Sequence, residues 1–280
     1  MNLRTPKVKL EKESIVVKVG GSILDHEPYL KSLATDIALL HSTGARLLVV
    51  HGGGPQISRM MKEKGKEINF VEGLRVTDEE TMEIILASLL GWVNPTITCL
   101  LNKCGARAIG LSGVDGGLVR ARRHKHIRGG REVDLGFVGD VREIDSSLIL
   151  KLVDSGYIPV IASIGIGEEG KPYNINADTI AAELAVAIGA TRLILMTDVE
   201  GVMVNRGATP GLLTKIQVSQ AQRLIEEGEI RAGMIPKVQA AIRALEGGVD
   251  RVYILNGYRR NCLLDKLFED KEIGTDMVNG

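Results

Sequence analysis

Six short runs of Val, Ile and Leu punctuate the chain, at 14–19, 46–50, 107–111, 157–162, 192–196 and 250–255, and each is nearly continuous in apolar residues, as ARLLVVH and DRVYILN show. A strand with one face in water alternates apolar with polar residues, so a strand without polar gaps must be covered on both faces. Between the runs lie stretches of helical periodicity at 28–43, 55–65, 78–104, 145–155, 177–189, 219–228 and 234–247. Strands alternating with helices predict βαβ units, hence an α/β fold with a central, mainly parallel sheet. At 280 residues and 44% hydrophobic content, the chain can bury a large core as one big domain or two lobes. The lobe boundary is expected before or within YIPVIAS, dividing residues 1–160 from 161–280, although no linker marks it.

Local signals refine this outline. Thr77-x-x-Glu80 and Ser219 read as helix caps, and Pro95 should kink or break the long third helix. Segment 118–142 alternates around Gly129-Gly130 and reads as an antiparallel hairpin at a sheet edge. Lys plus Arg and Asp plus Glu number 35 each, so no basic field for nucleic acid is visible. The polar N-terminus and the lack of an apolar run of ~18 residues argue against a leader or membrane span and for a cytoplasmic protein. Cys99, Cys104 and Cys262 lack CxxC spacing and read as reduced packing residues, with no zinc site.

Four loops can carry chemistry, three of them just past the carboxyl ends of strands, where open α/β sheets place ligands. In Lys18-Val19-Gly20-Gly21-Ser22 the glycines expose successive N–H groups, and a lysine amid Val16, Val17 and Val19 is costly unless it emerges at the strand tip facing an anion. In His51-Gly52-Gly53-Gly54-Pro55 the proline opens a helix whose free N–H groups and positive dipole end point into the glycine loop. Neither loop matches GxGxxG or GxxxxGK[ST], so a Rossmann site and a Walker P-loop are unsupported. Asn174, Asn176 and Asp178 alternate along an extended segment and can face one side, either to hydrogen-bond a polar ligand or simply as turn formers and a helix cap. Lys237, near the start of the last long helix after Gly233, reads by itself as a solvated surface lysine, although a glycine before a helix start also allows close approach of a ligand.

Taken together, KVGGS, VHGGGPQI, GLRVTD, YNINAD, LMTDVEGV and AGMIPKV, in this order and over essentially the whole chain, resemble the amino acid kinase family. The resemblance implies an open three-layer αβα sandwich, with an N-terminal lobe (1–160) that binds an acyl amino acid and dimerises, and a C-terminal lobe (161–280) that binds ATP with Mg²⁺. It implies phosphorylation of the γ-carboxylate of N-acetyl-L-glutamate, a step of arginine biosynthesis. Lys18 and Lys237 would converge on the phosphoryl group in transit and Asp178 would hold both ammonium groups. Arg75 would grip the substrate α-carboxylate, Gly53 and Gly54 would meet the substrate through N–H groups, and Asn174 would orient it beside Asn176. Gly20 and Gly21 would lie against the nucleotide phosphates, with Thr197 and Asp198 in the nucleotide pocket and no metal-ligating cluster. Two alternatives stand beside this reading: a kinase acting on carrier-bound aminoadipate or glutamate in lysine biosynthesis, and a silent amino-acid-binding regulator.

Arginine-inhibited members of this family resemble one another in an N-terminal helix that links dimers into a hexamer. The roughly 13 residues before the first strand are too few for such a helix at ~1.5 Å per residue. The expectation is a homodimer insensitive to arginine, paired through the helix carrying ETMEIILASLLGWV.

Overall fold

The computed structural model describes residues 10, 11, 13–206, 209–230 and 233–280. All six apolar runs are strands of one eight-stranded sheet, in the order Lys215–Gln217, Thr275–Val278, Arg251–Asn256, Arg192–Thr197, Ser14–Val19, Arg46–His51, Ile158–Ala162, Ala108–Ser112. Every neighbouring pair is parallel except Arg251–Asn256 with Thr275–Val278. Helices cover both faces. One buried cluster runs through Val16, Leu48, Val50, Leu193 and Leu195; the other runs through Val17, Val19, Val49, Ile194 and Met196. The alternation of side chains along each strand thus feeds two cores, the physical content of a three-layer sandwich.

Strand order fixes where a ligand can sit. From Ser14–Val19 the chain crosses to Arg46–His51 on one side, while Arg192–Thr197 flanks it on the other. Crossovers leaving a central strand in opposite directions open a crevice at its carboxyl end, and Lys18 stands there. Positions 160 and 161 lie inside the strand Ile158–Ala162, a continuous part of the sheet.

The chain departs from the sequence expectations at several points. The cap of the helix Glu79–Ser88 is Asp78, whose carboxylate accepts from Thr81 N–H at 2.8 Å, whereas the Thr77 hydroxyl donates to the Arg75 carbonyl. Ser219 lies inside the helix Val218–Glu226, one residue past its first position, and caps nothing. Pro95 does not break the long helix. Its missing N–H is accommodated by a π turn over Leu89–Val93, with Asn94 N–H bonded to the Leu89 carbonyl, and the helix continues to Lys103. The resulting 25-residue element Glu79–Lys103 is long and apolar enough to cross a membrane by length and composition alone. Here it lies against the sheet, burying Ile84, Ile85, Leu89, Val93, Ile97 and Leu101.

Segment 118–142 is antiparallel as expected, but it belongs to a separate sheet in the order Pro172–Asn174, Ile164–Ile166, Val119–Arg123, Gly139–Ile144. Gly129 and Gly130 turn the small hairpin His126–Arg128/Arg131–Val133 with φ of 58° and 76°, angles that suit glycine. Of the cysteines only Cys262 is a buried packing residue; Cys99 and Cys104 are exposed. The reading of residues 1–13 as too short for a linking helix falls largely outside the described residues.

Candidate active site

Lys18 pairs in register with Leu195 and Val50, and its side chain leaves the sheet on the same face as Val16. That face is covered by the helix Ala177–Ala187, whose first turn carries Asp178. A lysine at the penultimate position of the strand therefore meets a carboxylate at the mouth of the helix: Lys18 Nζ lies 2.7 Å from Asp178 Oδ1. Lys237, in the first turn of the helix Ile235–Glu246, places its Nζ 3.2 Å from Asp178 Oδ2. Lys18 and Lys237, far apart along the chain, are joined through one carboxylate. Burial pushes the Asp178 carboxyl up, but the two ammonium groups outweigh it and hold the group below the usual carboxylate range. Burial likewise pulls the Lys18 ammonium down; Asp178 opposes this and Lys237 reinforces it.

Two cavities flank this triad. The first, of about 450 Å³, is lined by Lys18, Gly21, Gly53, Gly54, Arg75, Asn174, Asn176 and Asp178, with Ser58, Phe70 and Ser163. The second, of about 430 Å³, is lined by Thr197, Asp198, Gly233, Met234 and Lys237. Lys18 and Asp178 open on one and Lys237 on the other. Gly20 lines neither; a Cβ there would meet the Met196 carbonyl at 2.9 Å, so it serves close packing behind the loop. Gly21 is needed because a Cβ would fall 2.7 Å from the Pro55 ring, which lets the two glycine loops touch.

Arg75 is 6% exposed, and among the described residues it makes no ion pair with a carboxylate. Its guanidinium donates to the Gly54 carbonyl at 3.1 Å and the Ser58 hydroxyl at 2.7 Å, and it stacks 4.7 Å over the Phe70 ring. Burial pulls its pKa down from the arginine range, and an uncompensated buried cation facing a cavity is a demand for an anion. Sequence reasoning missed Ser58 and Phe70. Ser58 stands one helical turn from Gly54, a spacing that could have pointed to it.

Asn174 donates weakly to the Thr77 hydroxyl at 3.5 Å, so its amide is nearly free to face the cavity. Asn176 is divided in its role. Its side-chain oxygen caps the Asp178 helix by accepting from Asp178 and Thr179 N–H at 2.9 and 3.2 Å, so only its NH₂ is left for a ligand. The Thr197 hydroxyl donates to Asp198 at 3.2 Å. Among the described residues no three His, Cys, Asp or Glu side chains converge as a metal site.

Charge and shape together favour a reaction between two anionic ligands, one per cavity, meeting at two clamped lysines. Comparison with known proteins bears on which ligands. The model of the amino acid kinase family matches residues 13–256. Acetylglutamate kinase of Heliobacterium modesticaldum is 44% identical over 272 residues, 95% of this chain and 92% of that one. The chloroplastic acetylglutamate kinase of Arabidopsis thaliana is 44% identical over 97% of this chain and 77% of its own. Among solved structures, N-acetylglutamate synthase of Neisseria gonorrhoeae complexed with coenzyme A and N-acetyl-glutamate superimposes with a TM-score of 0.84 at 28% identity; it covers 97% of this chain, which spans 60% of that longer protein. A carbamate kinase of Giardia shares the fold, with a TM-score of 0.71 at 17% identity.

Proposed function

The chain belongs to the amino acid kinase family, and on that premise we propose that it transfers the γ-phosphoryl group of ATP to the side-chain carboxylate of N-acetyl-L-glutamate, a step of arginine biosynthesis. The observation that carries the reading is the bridge of Asp178 between Lys18 at 2.7 Å and Lys237 at 3.2 Å, set between two cavities. A carboxylate oxygen of the acceptor attacks the γ-phosphorus, the bond to the β–γ bridging oxygen breaks, and ADP leaves with that electron pair. The product is an acyl phosphate. No general base is required, because a glutamate-like carboxylate, with a pKa of about 4.3, is ionised at neutral pH. What the protein must supply is position and fixed positive charge as negative charge redistributes over the transferred oxygens.

We assign the first cavity to the acyl amino acid and the second to the nucleotide. Arg75 suits the α-carboxylate, since its fork can pair bidentately where a lysine cannot. Asn174 and the NH₂ of Asn176 are donors for the substrate's oxygens, and the Gly53 and Gly54 N–H groups face its reacting end. Lys18 and Lys237 meet the phosphoryl oxygens from the two sides, while Asp178 keeps the ammonium groups charged and apart. Gly21 belongs to the phosphate path, and Thr197 and Asp198 to the nucleotide wall. Asp198, in the wall of the second cavity, would hold, directly or through water, a Mg²⁺ brought by the nucleotide, and a lone carboxylate suits an ion that keeps most of its water. That ion would neutralise part of the charge on the transferred group.

On this assignment residues 1–160 form the acceptor and dimer lobe and residues 161–280 the nucleotide lobe, with Asn174, Asn176 and Asp178 reaching back across the division. Exposed Leu90 and Trp92 on the long helix, 37% and 42% exposed, support a homodimer paired along that helix. The reading places the enzyme in the cytoplasm. The silent-regulator alternative has no use for two lysines on one carboxylate, and the carrier-dependent alternative gains no support from the relatives' names. The deciding experiment is ATP-dependent hydroxamate formation with N-acetylglutamate, glutamate, aspartate and N-acetylaminoadipate side by side. N-acetylglutamate should be turned over far faster than glutamate, whose charged amine replaces a neutral amide; equal turnover of the two would overturn the assignment.

A further inference from the structure

His51 ends the strand Arg46–His51 and begins the glycine loop, yet it does not line the cavity that Gly53 and Gly54 enclose. It is fully buried, on the opposite face of the sheet from Lys18, because Leu47 and Val49 on its own face pack into the core beneath the long helix Glu79–Lys103. Its ring is held at both nitrogens. Nε2 lies 3.0 Å from the side-chain amide nitrogen of Asn94, and Nδ1 lies 3.0 Å from the carbonyl oxygen of Gly52. The Asn94 amide nitrogen can only donate, and its two hydrogens are shared among three acceptors, the Val160 and Leu111 carbonyls at 2.8 and 3.0 Å and His51 Nε2, so Nε2 faces a donor and needs no proton of its own. The Gly52 carbonyl can only accept, so the neutral imidazole carries its proton on Nδ1 and donates it there. Burial supports the neutral form, pulling the ring down to about 4.

The Gly52 carbonyl and the Gly53 N–H belong to one planar trans peptide and point in opposite directions. Among the described residues the Gly53 N–H has no backbone partner, and Gly53 sits in the cavity wall. We propose that His51 is a positioning residue: by drawing the Gly52 carbonyl to the face away from Lys18, it turns the Gly53 N–H toward the phosphoryl group in transit. Glycines on both sides leave the 52–53 peptide free to rotate. Without the Nδ1 donor, the peptide can turn its carbonyl oxygen toward the site, replacing an N–H donor with a negative dipole where anionic oxygens must be bound. The cost falls on the transition state more than on substrate binding, because Arg75 holds the acceptor from its other end. This inference rests on the kinase reading above.

The test uses one functional group at two positions. An asparagine amide nitrogen replaces Nδ1, whereas a glutamine amide reaches the Nε2 position and leaves the Gly52 carbonyl without a donor. His51→Asn should keep kcat within about threefold of wild type, and His51→Gln and His51→Leu should lose about 10- to 100-fold in kcat with KM for the acyl amino acid nearly unchanged, the loss expected for one donor to a developing oxyanion or somewhat less. Melting temperatures of all three show whether any loss follows stability instead of the position of the amide. Equal kcat losses in His51→Asn and His51→Gln, or none in either, would overturn the proposal. Crystal structures of the same pair give a readout independent of turnover: the Gly52 carbonyl should face the cavity in His51→Gln and not in His51→Asn. If wild type failed to phosphorylate N-acetylglutamate, the functional reading would fall while the peptide orientation still decided the role of His51.

Discussion

Asp178→Asn removes one negative charge from between two positive ones while keeping shape and polarity. At an effective dielectric of ~20, ion pairs at the observed 2.7 and 3.2 Å are worth about 6 and about 5 kcal/mol of gross attraction. Ammonium groups on the two oxygens of one carboxylate stand no more than about 8 Å apart, where their repulsion is about 2 kcal/mol. In the variant the attraction is gone and the repulsion stays. Part is recovered by water and by side-chain relaxation, and removing one member of a buried pair typically costs about 3–5 kcal/mol. Lys18 bears most of this, its side chain being 7% exposed against 19% for that of Lys237. Its ammonium, already pulled down by burial, falls further and gives up its proton more readily. The expected outcome is a fall in kcat of at least about 100-fold at pH 7.5, on the scale of 1.36 kcal/mol per decade. Between pH 6 and 10 the alkaline limb of kcat should also move to lower pH. A kcat within fivefold of wild type, with the alkaline limb unmoved, would refute the view that Asp178 holds the lysines charged.

Lys18→Ala and Lys237→Ala should mainly lower kcat, and Arg75→Ala should mainly raise KM for the acyl amino acid; steady-state kinetics with each substrate varied in turn checks the division, which fails if Arg75→Ala leaves that KM untouched. Asp36 is buried with one carboxylate oxygen unpartnered, and burial raises it from 3.8 to about 7. Its folded value exceeds its unfolded one, so the favourable contribution is full below about pH 4 and is lost as pH rises through about 7, up to about 4 kcal/mol. Asp36→Asn should therefore raise the melting temperature at pH 8 and change it little at pH 4.5; calorimetry at the two values decides. Light scattering should give a dimer, and Trp92→Glu with Leu90→Glu should shift it toward monomer, whereas an unchanged mass would locate the interface elsewhere.

Much of this could be read from the chain alone, and the reason is local. Continuous apolar runs such as ARLLVVH can only be strands covered on both faces, so the α/β class and the six central strands follow from desolvation of the strands. Glycines before Pro55 and beside Lys18 mark candidate anion-binding loops for similarly local reasons, since free N–H groups are a property of a few consecutive residues. The short strands Lys215–Gln217 and Thr275–Val278 escaped because three or four residues carry too little pattern to stand out. Their place at the sheet edge is decided by what they pair with. The π turn before Pro95 also depended on its setting, because the sheet beneath holds the helix together where the local sequence favours a break. The site divides in the same way. Lys18, Asp178 and Lys237 could be named as candidates, but Lys237 alone looked like any surface lysine. Only the crossover order, which brings the Ala177–Ala187 and Ile235–Glu246 helices to the tip of the first strand, puts both ammonium groups on one carboxylate. The uncompensated charge of Arg75 and the grip of His51 on the Gly52 carbonyl belong to the same class. They depend on which groups are absent or present within a few ångströms in space, and distance along the chain does not encode that.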